Sequence, residues 1–164
     1  MNRYVWVSLF LLLLFVALFV RSGNSDVREI RKSFNQLVDD FELREREELI
    51  EAGLAAGRII DSFSQGTKIR ISGLPVEISN RSDLQSAIIQ ARSNLDRFVA
   101  DIADMRIDVS PDRESAMMSV SAYVSVSGMR RLDEEWHAVD VQWIKTDGKW
   151  EISSIDSLET IEHP

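Results

Sequence analysis

Two aspartates stand where a pair of carboxylates could do acid–base chemistry. Over residues 101–109 the chain alternates, with Met105, Ile107 and Val109 set against Asp104, Arg106 and Asp108, and Asp101 shares the apolar phase. In residues 149–157, Trp150, Ile152, Ser154 and Asp156 share a phase in the same way. If both apolar phases face the interior, Asp101 and Asp156 project inward. One carboxylate can then serve as a base while a second acid donates to a developing oxyanion. The simpler reading leaves both at strand ends, solvated and idle. Asp101 and Asp156 are therefore weak candidates, and no catalytic residue is assigned.

The remaining chemistry is sparse. His137 lies between Trp136 and Ala138 and reads as a sheet histidine; His163 lies in the terminal tail. With no cysteine in 164 residues, disulfides, thiolate catalysis and cysteine metal sites are excluded. No nucleophile elbow, phosphate loop or H-E-x-x-H spacing is present, so neither a metal nor a cofactor is expected. The formal net charge is −8, and no acid precedes residue 22, so the folded part is more acidic than the whole. A basic stripe of the kind that tracks a phosphate backbone is not expected, which argues against a nucleic-acid partner.

Elements must position these groups. Asp26 and Glu29 have capping-box spacing, and Val27, Ile30, Phe34, Leu37, Val38 and Phe41 follow at helical intervals, predicting a first helix from about 26 to 48. Ala52, Ala55, Ala56, Ile59, Ile60 and Phe63 give a second helical stripe, broken by "SQG". Alternation in "KIRIS" and "VEIS" predicts a small hairpin over 68–79. Ser82 and Gln85 suggest a second capping box, opening a helix over about 82–98. Strands follow over 101–109, 115–127, 133–145 and 149–157. Helices first and a long sheet afterwards imply an α+β domain with helices packed on one face of an antiparallel sheet.

The first twenty residues are different in kind. "YVWVSLFLLLLFVALFV", residues 4–20, is apolar but for one serine and is flanked by Arg3 and Arg21. As a helix it covers about 25 Å, at the short end of what spans a bilayer. Tyr4 and Trp6 fall where an interfacial aromatic belt would lie, with Leu12 and Phe15 in the hydrocarbon. The run is long for the apolar part of a cleaved signal and lacks an A-x-A site. Residues 1–21 are thus expected to be a single transmembrane anchor contacting membrane lipid, and 22–164 the domain. Arg21, Arg28, Arg31 and Lys32 after the run favour a cytoplasmic domain, whereas the very short leading tail favours export. The expectation is a cell inner membrane protein with an extracytoplasmic domain.

Near the C-terminus, "WIKTDGKWEI" sets two strand-forming runs around an Asp147-Gly148 turn. Helix, helix, small hairpin, helix and long strands ending in W-x-x-x-D-G-x-W-x-I resemble the nuclear transport factor 2-like superfamily, over roughly residues 26–158. Trp143, Asp147, Gly148, Trp150 and Ile152 carry the likeness. That superfamily includes ketosteroid isomerases and SnoaL-like cyclases. The resemblance implies a cystatin-like cone, a curved antiparallel sheet wrapped on a helix around a cavity that some relatives use for apolar ligands or catalysis. Others use the sheet to dimerise. SnoaL-like sequences often carry a histidine or another polar residue late in the last strand, where this chain has Ser153 and Ser154. In architecture alone, a short tail, one span and such a domain also resemble the inner-membrane scaffold component of type IV secretion systems.

Strand 133–145 points to an interaction surface. One phase holds Val139, Val141 and Trp143 and the other Trp136, Ala138 and Ile144, so the two tryptophans face opposite ways and only one can join the core. The other should stand on the open face near Ser121 and Tyr123, where an aromatic anchor among small residues suits a sheet-to-sheet contact. Trp136, Trp143, Tyr123 and Ser121 are the interface candidates. Sequence alone favours a membrane-tethered, non-catalytic assembly module, as a homodimer or as a subunit of a membrane complex. The alternative is a protein that binds a small apolar molecule, or an isomerase- or cyclase-like enzyme.

Overall fold

The structure is a computed structural model that describes residues 25–71, 77–128 and 131–158. The proposed anchor, with Tyr4, Trp6, Leu12 and Phe15, lies outside the described residues. Among these no helix is long and apolar enough to cross a membrane.

Helix α1 covers residues 25–41 and buries Ile30 and Leu37, two turns apart on one face, against the sheet. It ends seven residues before the expected 48. Arg92 explains the early stop: its guanidinium donates to the Asp40 and Phe41 carbonyls at 3.0 and 3.1 Å and to both Glu47 oxygens at 2.8 and 2.6 Å. The charged stretch expected to extend the helix is instead a connection, in which Leu43 exchanges two backbone hydrogen bonds with Phe98.

Helix α2, Leu49–Ile60, opens on a capping box between Glu48 and Glu51 and buries Ala52, Ala55, Ala56, Ile59 and Ile60. Phe63, expected to continue this stripe, instead begins strand β1, Phe63–Ile71. Strand β2, Glu77–Ile78, pairs antiparallel with β1, as the small hairpin requires. Helix α3 spans Arg81–Asn94 and is capped by Asn80, whose side chain accepts from the Asp83 amide at 2.9 Å, in place of the Ser82–Gln85 box.

Strands β3 (Arg97–Val109), β4 (Ser115–Gly128), β5 (Arg131–Thr146) and β6 (Lys149–Ser157) form an antiparallel meander. The β5–β6 turn uses Asp147 and Gly148, both at positive φ (51° and 81°), the combination that matches the twist of a two-residue hairpin. The sheet order is β2-β1-β6-β5-β4-β3. Because β1 runs parallel to β6, the six-stranded sheet is mixed rather than wholly antiparallel. Alternation within a strand reports which face is buried and carries no information on the direction of its partner.

The core lies between the helices and one face of this sheet. Trp143, Trp150, Phe63, Met118, Ile152 and Val141 from the strands meet Ile30 and Ile59 from the helices, all nearly inaccessible to solvent.

Candidate functional site

Two β-bulges decide where the candidate carboxylates lie. In β3, Ile102 pairs with Ala122 but Asp104 pairs with Ser121, so Ala103 is an extra residue. In β6, Ile152 pairs with Trp143 but Ser154 pairs with Gln142, so Ser153 is extra. An inserted residue reverses the phase of everything beyond it. Asp101 consequently stands opposite Tyr123, and Asp156 opposite Asp140, on the face away from the helices. The inward placement expected from simple alternation is corrected for both residues. Asp101 is exposed, and Asp156 accepts from Arg70 Nε at 2.5 Å.

The helix-facing side carries a different polar group. Ile102, Ala122 and His137 form one row across β3, β4 and β5. His137 shares its phase with Val139, Val141 and Trp143. Val124 and Val139 beside it, and Ile102 in the same row, are only half-buried, so the helices leave this apolar stretch partly uncovered. The imidazole is itself 34% exposed, and its Nε2 lies 3.9 Å from Glu135, two residues away on the same face. Sequence reasoning passed over His137 because both phases of β5 carry tryptophan, leaving the helix-facing phase undecided. The only available signal was its parity with Trp143.

A second polar cluster closes the opposite end of the sheet. Asp26, in the first turn of α1 and 2% exposed, takes a charge-assisted bond from Arg113 Nε at 2.6 Å and another from Lys145 Nζ at 2.9 Å. Trp150 Nε1 adds a third contact at 3.3 Å. Burial pushes this carboxyl's pKa up, but the hydrogen bonds from Lys145, Arg113 and Trp150 outweigh it and hold the group below the usual aspartate value. The side chain expected to cap α1 locally thus serves a long-range contact. Among the described residues Thr67 Oγ1 and Trp143 Nε1 are buried without a hydrogen-bond partner. Among the described residues no three histidine or carboxylate side chains converge as metal ligands do.

On the open face, Tyr123 and Trp136 are cross-strand neighbours with ring centroids 5.5 Å apart, and both are half-buried. The Tyr123 hydroxyl donates to Glu134 at 3.1 Å. Burial, with the adjacent Glu134 carboxylate, raises the phenol's pKa. Ser121 lies one pair along, opposite Ala138. Trp143 does not share this surface: at 1% exposure it belongs to the core, which corrects its place among the interface candidates.

Similarity to solved structures fits this architecture. A provisional scytalone dehydratase from Novosphingobium aromaticivorans superposes with a TM-score of 0.68 at 9% identity, covering 88% of this chain and 92% of its own. A provisional dehydratase of the NTF2-like family from Streptomyces avermitilis gives 0.64 at 12% identity, covering 82% and 96%. An NTF2-like protein with a cystatin-like fold from Novosphingobium aromaticivorans gives 0.59 at 10%, covering 83% and 85%. No family model and no curated protein matches the sequence. At these identities the likeness establishes the fold: an α+β domain of NTF2-like, cystatin-like architecture.

Proposed function

We propose that the domain binds a small, largely apolar molecule on the helix-facing side of its sheet, with His137 as the polar contact. The partly uncovered stretch of Ile102, Val124 and Val139 around that imidazole carries this reading. Apolar walls with a few convergent polar groups are the usual composition of a ligand site. An imidazole can both donate and accept a hydrogen bond, so His137 with Glu135 could also pass a proton to a bound substrate. The NTF2-like dehydratases among the similar structures fit this reading better than a purely structural role. Binding of an apolar fluorescent probe tests it. His137→Ala should weaken the probe at least tenfold, which is about 1.4 kcal/mol, while Asp101→Asn leaves binding unchanged. Undiminished binding by the histidine variant rejects the site.

A second reading rests on the Tyr123–Trp136 pair, an aromatic anchor on the sheet face turned away from the described helices. That surface would join two copies, or join the chain to another membrane-complex subunit. Trp136→Ser should then lower the native mass without altering circular dichroism; an unchanged mass removes this surface from consideration.

The apolar run at residues 4–20 supports tethering of either form to the inner membrane, with the domain outside the cytoplasm. Flotation with vesicles and protease accessibility from each side test the two parts of that statement.

A further inference from the structure

We propose that the outer face of α1 docks on anionic phosphate headgroups at the membrane surface, beside the point where the chain leaves the domain. This rests on the anchor reading of residues 4–20. Arg28, Arg31 and Lys32, with Asn35, Gln36 and Asp39, line a shallow groove of about 370 Å³ on the side of α1 turned away from the sheet. Arg31 and Lys32 are exposed and, among the described residues, engage no acid in an ion pair. In a chain with 27 acids and 19 Lys and Arg residues, three neighbouring cations on one helix face are unexpected. The groove's acid, Asp39, lies two turns beyond Lys32, about 10 Å along the axis.

Position adds to composition. Asp26 is held by Arg113 and Lys145, so the start of α1 is fixed to one end of the sheet. Only residues 21–24 separate it from the apolar run, and four extended residues span at most about 14 Å. The three cations begin within one turn of Asp26. An anchor inserted through residues 4–20 would bring these charges to within about a Debye length of the headgroups. Each cation near an anionic surface changes partition by about fivefold, so removing two changes the docked population about 25-fold.

The chain lacks cysteine, so Asn35→Cys carries a single environment-sensitive dye in the groove of the full-length protein. The probes are vesicles of phosphatidylcholine, with and without phosphatidylglycerol, containing a headgroup-spin-labelled lipid as quencher. Expected is quenching that rises with phosphatidylglycerol, falls in about 0.5 M salt, and disappears in Arg31→Glu/Lys32→Glu with unchanged circular dichroism. Quenching indifferent to lipid charge, or retained in the double variant, overturns the docking surface while the anchor stands. Failure of the chain to float with either vesicle overturns the anchor, and this proposal with it.

Discussion

Lys145 on β5 and Asp26 in the first turn of α1, 119 residues apart in sequence, meet at 2.9 Å. With Arg113 on the same carboxylate and the Lys145 ammonium 5.2 Å from the Trp150 ring centroid, this contact holds the first helix to the ends of β5 and β6 and to the β3–β4 turn.

Its dependence on pH has a definite sign. The Asp26 pKa is lowered on folding from the ordinary 3.8. Its contribution is therefore complete above the unfolded value and is lost as pH falls through the lower folded one. Asp26→Asn should cost about 2–3 kcal/mol at neutral pH, below the 3–5 of a fully buried pair because both cations reach solvent. In urea melts the gap between the two proteins should narrow over the acid range below the ordinary aspartate value of 3.8. A gap that stays constant over that range would exclude this role.

Arg92 acts through shape as well as charge. It is 6% exposed and serves two α1 carbonyls and both oxygens of Glu47, holding that carboxyl's pKa below the usual range. A lysine keeps the charge and loses the planar fork. Arg92→Lys should cost about 2 kcal/mol, and Arg92→Met more. A lysine variant as stable as the parent in chemical denaturation would show that charge alone matters.

The two β5 tryptophans should separate in thermal melts. Trp143→Ala empties a core position and should cost about 3–5 kcal/mol, whereas Trp136→Ser on the open face should cost well under half as much. Equal losses would mean that the open face is covered.

Thr67 is fully buried and its hydroxyl has no partner among the described residues. An unpaired buried hydroxyl costs about 1–3 kcal/mol, so the near-isosteric Thr67→Val should raise stability by about 1 kcal/mol. A decrease would show that the hydroxyl is bonded in solution.

Much of the framework was legible in local pattern. β6 occupies the expected 149–157, and the Asp147-Gly148 turn takes the backbone that its residue types favour. Helix ends were less legible, because what stops α1 is a guanidinium 51 residues away from Phe41. Capping spacing was also ambiguous: Asp26 has the right offset to Glu29, yet the cations across the sheet claim its side chain. Asp101 and Asp156 were misplaced for one shared reason, a single inserted residue in each strand. A bulge leaves no mark in the alternation of a stretch as mixed as "ADIADM" or "ISSID".

Sequence by itself determined the helices-then-strands order, the apolar N-terminal run and the opposed phases of Trp136 and Trp143. These follow from backbone periodicity and residue type within a few neighbouring positions. Tertiary structure alone decided the parallel β1–β6 pairing, the phase beyond each bulge, the tryptophan that joins the core, and the placing of His137 on the helix-facing side of the sheet. Each of those depends on which distant segment supplies the partner hydrogen bonds and the covering surface, and that choice is made by the whole fold at once.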